Sequence, residues 1–318
     1  MIYDAIVGES PLVLIKHQLL KEKEVQLFLK REELLHPHLQ GNKWRKLKYN
    51  VEAAKKADER TLLTFGGAHS NHIYATAAAG KLFGFETIGV IRGERPTQGN
   101  STLSFAEKSG MHLHFVTRMA YKEKEDNSFK ADLQTLFGNF YEIPEGGSNL
   151  LAVRGVAELA KELPDDTDVV ALACGTGATA AGLLVGAHLF QKKYTTLPFS
   201  VLKGGAFLET AINLFFYSFF DENNVSLPDI NTNNEFKAAK NAIYSPKFNL
   251  HTSYHHGGYA KNSIALQAFI DDWYNKTGIL IEHVYTGKML FGLFDLIQQD
   301  KFPKGTKIVA IHTGGLRL

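Results

Sequence analysis

Four cations fall within six residues in the run Gly41-Asn42-Lys43-Trp44-Arg45-Lys46-Leu47-Lys48-Tyr49. A lysine that acts as an amine nucleophile needs a depressed pKa, and neighbouring cations with partial burial supply one. On a helix, Lys43 and Lys46 share a face with Leu47, while Arg45 and Lys48 point elsewhere. The same composition also describes a solvated helix face, so the run alone leaves both a reactive lysine and a surface cluster open.

A second candidate is the loop Gly175-Thr176-Gly177-Ala178-Thr179, which follows an apolar run and precedes a helix expected from about Ala180 to Gln191. Backbone N–H groups and the positive end of a helix dipole would face an anion there, and glycines let a phosphate approach. The letters GTGATA also fit the dinucleotide pattern G-x-G-x-x-A. That fingerprint wants an acidic residue about twenty positions on. None occurs from Ala178 through Leu208. A single phosphate is the favoured ligand, with a structural glycine turn and a dinucleotide as the alternatives.

The third is Gly66-Gly67-Ala68-His69-Ser70-Asn71-His72, at the junction of an apolar run and a helical pattern. Ser70 and Asn71 stand where helix N-caps stand, and capping alone would explain them. The same residues would also make a polar pocket at the C-terminal end of a strand, where α/β folds bind ligands. The two histidines lack the spacing of a metal motif, so no metal is expected.

The elements that position these loops are legible as βα units. Thr61 to Phe65 leads into the glycine-rich loop and the helix-like IYATAAAGKLFG, and Thr87 to Ile91 leads into RGERP. Asp168 to Ala173 leads into CGTGATAAG, and Lys307 to Ile311 into HTGG. Repeated βα units predict an α/β fold with mostly parallel twisted sheets flanked by helices. Two domains are expected: residues 1–49 and 160–318 as the larger, and 50–159 as a smaller inserted one. The Asn-, Asp- and Pro-rich interval Asp221 to Phe248 reads as a surface excursion.

Bulk properties narrow the partners. Hydrophobic residues make up 44% and charged residues 21%, an ordinary globular balance. With 35 basic and 33 acidic residues the net charge is +2, which selects neither nucleic acid nor an anionic membrane. Cys174 is the only cysteine, which excludes an intramolecular disulfide framework. The N-terminus lacks an unbroken apolar signal core, and no apolar stretch is long enough to span a bilayer, so a cytoplasmic protein is expected.

Taken together and in order, GNKWRKLKY, FGGAHSNH, PEGGSN, CGTGATAAG, VYTGK and IHTGG resemble the fold-type II pyridoxal-5'-phosphate (PLP) enzymes. Within these the resemblance is to the 1-aminocyclopropane-1-carboxylate (ACC) deaminase and D-cysteine desulfhydrase group, and it runs from Lys30 to Gly315. It implies a tryptophan synthase β-like fold, PLP as cofactor, a small amino acid as substrate and a homodimer. Lys43 would hold the cofactor as a Schiff base, with Lys46 in support. Asn71 would bond the cofactor's 3'-hydroxyl, and Gly175, Thr176, Gly177, Ala178 and Thr179 its phosphate. Ser70 would face the substrate carboxylate or Cα, beside Asn71 and His72. Tyr285 would lie beside the ring, Tyr259 would be a second active-site tyrosine, and Gly147 would belong to a substrate-side loop, Gly146 to Asn149.

Two positions depart from the deaminase pattern, which has Glu after the tyrosine of V-Y-x-G-K and Leu in H-x-G-G. Here they are Thr286 and Thr313. A threonine hydroxyl cannot carry the charge that keeps a pyridine nitrogen protonated. The resemblance therefore implies a β-eliminating lyase that converts D-cysteine to sulfide, ammonia and pyruvate. ACC deamination to 2-oxobutyrate and ammonia is the alternative; an NAD-binding enzyme or a non-catalytic phosphate-ligand binding protein is more distant.

Overall fold

A computed structural model describes residues 7–97, 99–222 and 245–316. Most of the interval Asp221 to Phe248, read from sequence as a surface excursion, lies outside the described residues. The chain forms two compact units. Unit 1 comprises Met1–Pro11, Arg31–Gly155 and Thr313–Leu318, and unit 2 comprises Leu12–Lys30 and Val156–His312.

The first elements belong to unit 2: strand β1 (Leu12–Leu14), helix α1 (Gln18–Glu22) and strand β2 (Gln26–Lys30). The chain then builds unit 1 from α2 (Asn42–Lys56), β3 (Thr61–Gly67), α3 (Asn71–Phe83), β4 (Glu86–Arg92), α4 (Ser101–Lys108), β5 (Met111–Val116), α5 (Asn127–Phe137) and β6 (Tyr141–Ile143). Helix α6 (Leu150–Ala157) leads back to unit 2. There follow β7 (Val169–Cys174), α7 (Ala178–Leu189), β8 (Thr195–Ser200), α8 (Phe207–Glu222), α9 (Ile264–Thr277), α10 (Thr286–Gln298) and β9 (Lys307–Ile311).

Unit 1 holds a four-stranded sheet in the order β5-β4-β3-β6, parallel throughout. Unit 2 holds a five-stranded sheet in the order β1-β2-β9-β7-β8, parallel except for β1, which runs antiparallel to β2. The strands read as continuous apolar runs because helices cover the sheets, and every residue of β7 is buried. In unit 2, Leu27, Leu29, Ala171 and Phe199 pack with Met289, Leu290 and Leu293 of α10 in one core.

The boundary between units falls elsewhere than the sequence suggests. From sequence, residues 31–49 go with the larger domain, whereas they pack in unit 1. The reason is α2: its Trp44, Leu47, Val51 and Ala54 share a core with Leu62 of β3, Ala75, Ala78 and Ala79 of α3, and Ile143 of β6. Burial of that apolar stripe fixes the helix to the unit whose sheet it covers. Among the described residues no helix is long and apolar enough to cross a membrane.

Candidate active site

In unit 1 the candidate residues converge on the first turn of α2. Gly41 precedes that helix at φ 60, and a Cβ there would stand 2.0 Å from the Thr313 carbonyl oxygen. Only glycine satisfies both conditions, so the chain can enter α2 closely packed against Thr313. The Gly41 N–H donates to the Glu32 carbonyl at 2.9 Å. One turn further, the Arg45 guanidinium grips the Glu32 carboxylate at 2.6 and 2.8 Å, and the Ser10 hydroxyl donates to the same carboxylate at 2.6 Å. This buried bidentate pair fixes the helix start.

The solvated-face reading of the cation run is overturned, because Arg45, Lys46 and Lys48 are all buried. Lys43 is half-buried, and burial lowers its pKa to about 8. Its amine reaches the Gly146 carbonyl at 3.5 Å, a long contact that leaves the amine weakly held. Lys46 donates to the same carbonyl at 3.1 Å and to the Ser148 hydroxyl at 3.3 Å. The turn that receives both lysines has Gly146 and Gly147 at φ 69 and 67. A Cβ on Gly147 would sit 2.9 Å from the His72 ring.

His72 is buried, with Nε2 2.8 Å from the Thr64 hydroxyl. That hydroxyl donates its proton to the Ile143 carbonyl at 2.7 Å. Thr64 can therefore only accept from the ring, which assigns the His72 proton to Nε2 and leaves Nδ1 a bare acceptor. Burial first, then the charges of Lys43 and Lys46, holds the His72 pKa well below its ordinary value, so the ring is neutral.

Ser70, not Asn71, is the N-cap of α3, accepting from the His72 and Ile73 N–H groups at 3.2 and 3.3 Å. Its own O–H remains available to donate. Asn71 opens the helix and lines a small cavity with Lys43, His38, Gln40, Tyr74, Ala75 and Gly315.

In unit 2, β7 ends at Cys174, and Gly177, at φ 88, is the N-cap of α7 and brings no side chain of its own to the helix start. The first-turn N–H groups of α7, from Ala178 and Thr179 onward, point toward that loop. Gly175 lies under Tyr285, whose Cε1 would be 3.4 Å from a Cβ placed there. The Tyr259 and Tyr285 rings meet edge to face at 6.0 Å. Thr286, buried, begins α10, and Glu282 caps that helix by accepting from the Tyr285 and Thr286 N–H groups at 3.0 and 2.7 Å. Burial pushes the Glu282 carboxyl up, against the downward pull of those amides and of Lys288.

Sequence reasoning did not single out Thr64, Glu282 or Lys288. Lys288 stood inside the quoted VYTGK run, and Glu282 stood four residues before Thr286, the spacing of a side chain that caps a helix from outside. Thr64 gave no local signal, since its partners come from α3 and β6.

The residues present fit a phosphorylated pyridine cofactor. Gln40 Oε1 and His72 Nδ1 in unit 1, and Thr286 Oγ1 in unit 2, are buried polar atoms with no hydrogen-bond partner among the described residues. Unit 1 also offers the low-pKa amine of Lys43, and unit 2 a glycine loop at a helix N-terminus. Each set fits part of a pyridoxal-phosphate cofactor.

The chain belongs to the pyridoxal-phosphate dependent enzyme family, whose sequence pattern matches residues 4–314. It is 30% identical over 310 residues to the mitochondrial bifunctional D-cysteine desulfhydrase/1-aminocyclopropane-1-carboxylate deaminase of Arabidopsis thaliana, covering 92% of this chain and 72% of that one. It is 27% identical over 304 residues to a D-cysteine desulfhydrase of Salmonella typhi, covering 91% and 87%. A crystal structure of an ACC deaminase homologue superimposes with a TM-score of 0.80 at 25% identity, over 98% of this chain and 90% of that one. Threonine deaminase isoform 2 from Solanum lycopersicum shares the fold, with a TM-score of 0.67 at 17% identity. The chain is thus an enzyme of the ACC deaminase and D-cysteine desulfhydrase group, and its cofactor is PLP.

Proposed function

We propose that this enzyme is a β-eliminating carbon-sulfur lyase whose leading substrate is D-cysteine, releasing sulfide, ammonia and pyruvate. The observation that carries this reading is Thr286: a neutral hydroxyl, buried and without a partner, at the position where the deaminase pattern has a carboxylate. The neighbouring Glu282 does not replace that carboxylate, because its oxygens are spent on the amides that open α10.

PLP, when bound, supplies an electron sink for negative charge at the substrate Cα. Thr286, at the position where the family pattern has a carboxylate, would offer the pyridine nitrogen only a neutral hydroxyl, so the sink would be weaker, enough to expel a thiolate and poor for opening a cyclopropane. Lys43 would hold the cofactor and would be the base for the Cα proton; an amine with a pKa of about 8 is suited to this near neutral pH. The Ser70 hydroxyl donates to the substrate carboxylate, with Asn71, His72 and Gly147 on the same side. Asn71 also orients the cofactor's 3'-hydroxyl, and Gly175 to Thr179 bind its phosphate. Tyr285 and Tyr259 flank the substrate and are the candidate donors to the leaving thiolate.

Pairing Thr286→Glu with Thr313→Leu tests the reading. Sulfide release from D-cysteine should fall about tenfold or more while 2-oxobutyrate formation from ACC becomes measurable. Unchanged desulfuration with no ACC turnover, in a variant that still binds PLP, overturns it. ACC deamination stands second because the Arabidopsis relative's name carries both activities. The homodimer that the resemblance implies and the cytoplasmic location expected from the sequence belong to this proposal, and a sizing column run on the holoenzyme checks the first.

A further inference from the structure

Lys288 is fully buried in the first turn of α10, two residues after Thr286. A cation there opposes the helix dipole and loses its hydration, so the position is costly. Burial lowers its pKa to about 8, and the charge of Glu282 opposes that shift. The amine is spent on one contact: it donates to the Gly258 carbonyl at 2.7 Å.

The segment it reaches is held in an unfavourable backbone conformation. His256, Gly257, Gly258 and Ala260 lie at φ 49, 95, 117 and 55, four left-handed residues around Tyr259. Two of them carry a Cβ, and such conformations persist only where the surroundings enforce them. The local bonds include Gly258 N–H to the His255 carbonyl at 3.0 Å, Gly257 N–H to His255 Nδ1 at 3.0 Å, Lys261 N–H to the Gly258 carbonyl at 3.1 Å, and His256 Nδ1 with the Ser263 hydroxyl at 2.8 Å. The His256 ring packs edge to face on Phe291 of α10 at 4.6 Å, and Lys288 gives the Gly258 peptide itself, next to Tyr259, a hydrogen bond from the same helix.

We propose that Lys288 is a positioning residue: its buried amine pins the Gly258 carbonyl and thereby holds Tyr259 against Tyr285, on the substrate side of the site. This rests on the reading above, in which both tyrosines flank the substrate. The Lys288 amine is buried and turned to the Gly258 carbonyl, so its influence runs through the loop.

The test is a double-mutant cycle on the holoenzyme with D-cysteine. Lys288→Met keeps the side-chain length and removes the donors. It should retain PLP, shown by the cofactor's absorbance, and raise KM about tenfold with a smaller change in kcat, the loss expected when one ordering hydrogen bond is removed. Tyr259→Ala should raise KM on its own, and adding Lys288→Met to it should then change little. A damaging Tyr259→Ala whose effect simply adds to that of Lys288→Met overturns the inference and leaves the placement of Tyr259 standing. A silent Tyr259→Ala overturns that placement and the inference with it. Where Lys288→Met does not fold, Lys288→Gln, which keeps a polar group at shorter reach, enters the same cycle with the same outcomes.

Discussion

At the scale of single residues, the proposed chemistry rests on the Lys43 amine, whose pKa burial lowers. Lys43 is neutral above a pKa of about 8, so uptake of PLP by the apoenzyme should accelerate as pH rises toward 8 and level off above it, well below the range of an ordinary lysine. A rate that keeps climbing beyond pH 10 would show an amine left in water. Since the same pKa lies lower folded than unfolded, this group makes the fold gain stability between pH 8 and the ordinary lysine range, and contributes no slope below it. Borohydride reduction of the holoenzyme should fix the label on Lys43, and label on Lys46 or Lys48 would reassign the site. The neutral His72 gives a second residue-level expectation. Thr64→Val leaves the Nε2–H buried without an acceptor and should cost about 1–3 kcal/mol in denaturant unfolding, with Thr64→Ser restoring most of it. The lysine run was visible in the sequence; its burial was not, because Glu32, Gly146 and Ser148 close over it from distant parts of the chain.

At the scale of elements, the proposed reading gives the binding work to two helix N-termini, and both begin at a glycine with positive φ: Gly41 before α2 and Gly177 before α7. Gly177→Asp adds a negative charge where a phosphate must sit and should weaken cofactor retention by about tenfold or more, which equilibrium dialysis of PLP reads directly. Gly177→Ala shares the backbone strain without the charge, so it should lose stability and hold PLP better than the aspartate variant. Equal retention in the two would show that strain, not phosphate repulsion, governs the loop. These loops were legible because a glycine-rich turn between an apolar run and a helical pattern has few other uses. The expected start of the second helix near Ala180 falls two residues late, since Ala178 and Thr179 already lie in α7. Lys288 escaped notice for the opposite reason: a lysine early in a helix carries no local signal of burial.

At the scale of the whole molecule, the alternation of strands and helices gave away the α/β class and the parallel sheets, whose buried strands are nearly continuous apolar runs. The unit boundary was not legible at Arg31, because nothing in the sequence of α2 says which sheet its apolar stripe covers. The most direct test is a side-by-side assay of the native holoenzyme on D-cysteine and on ACC, scored as sulfide and as 2-oxobutyrate. A neutral residue at Thr286 predicts that kcat/KM for D-cysteine exceeds that for ACC by about a hundredfold or more. Turnover of ACC as efficient as that of D-cysteine would contradict it.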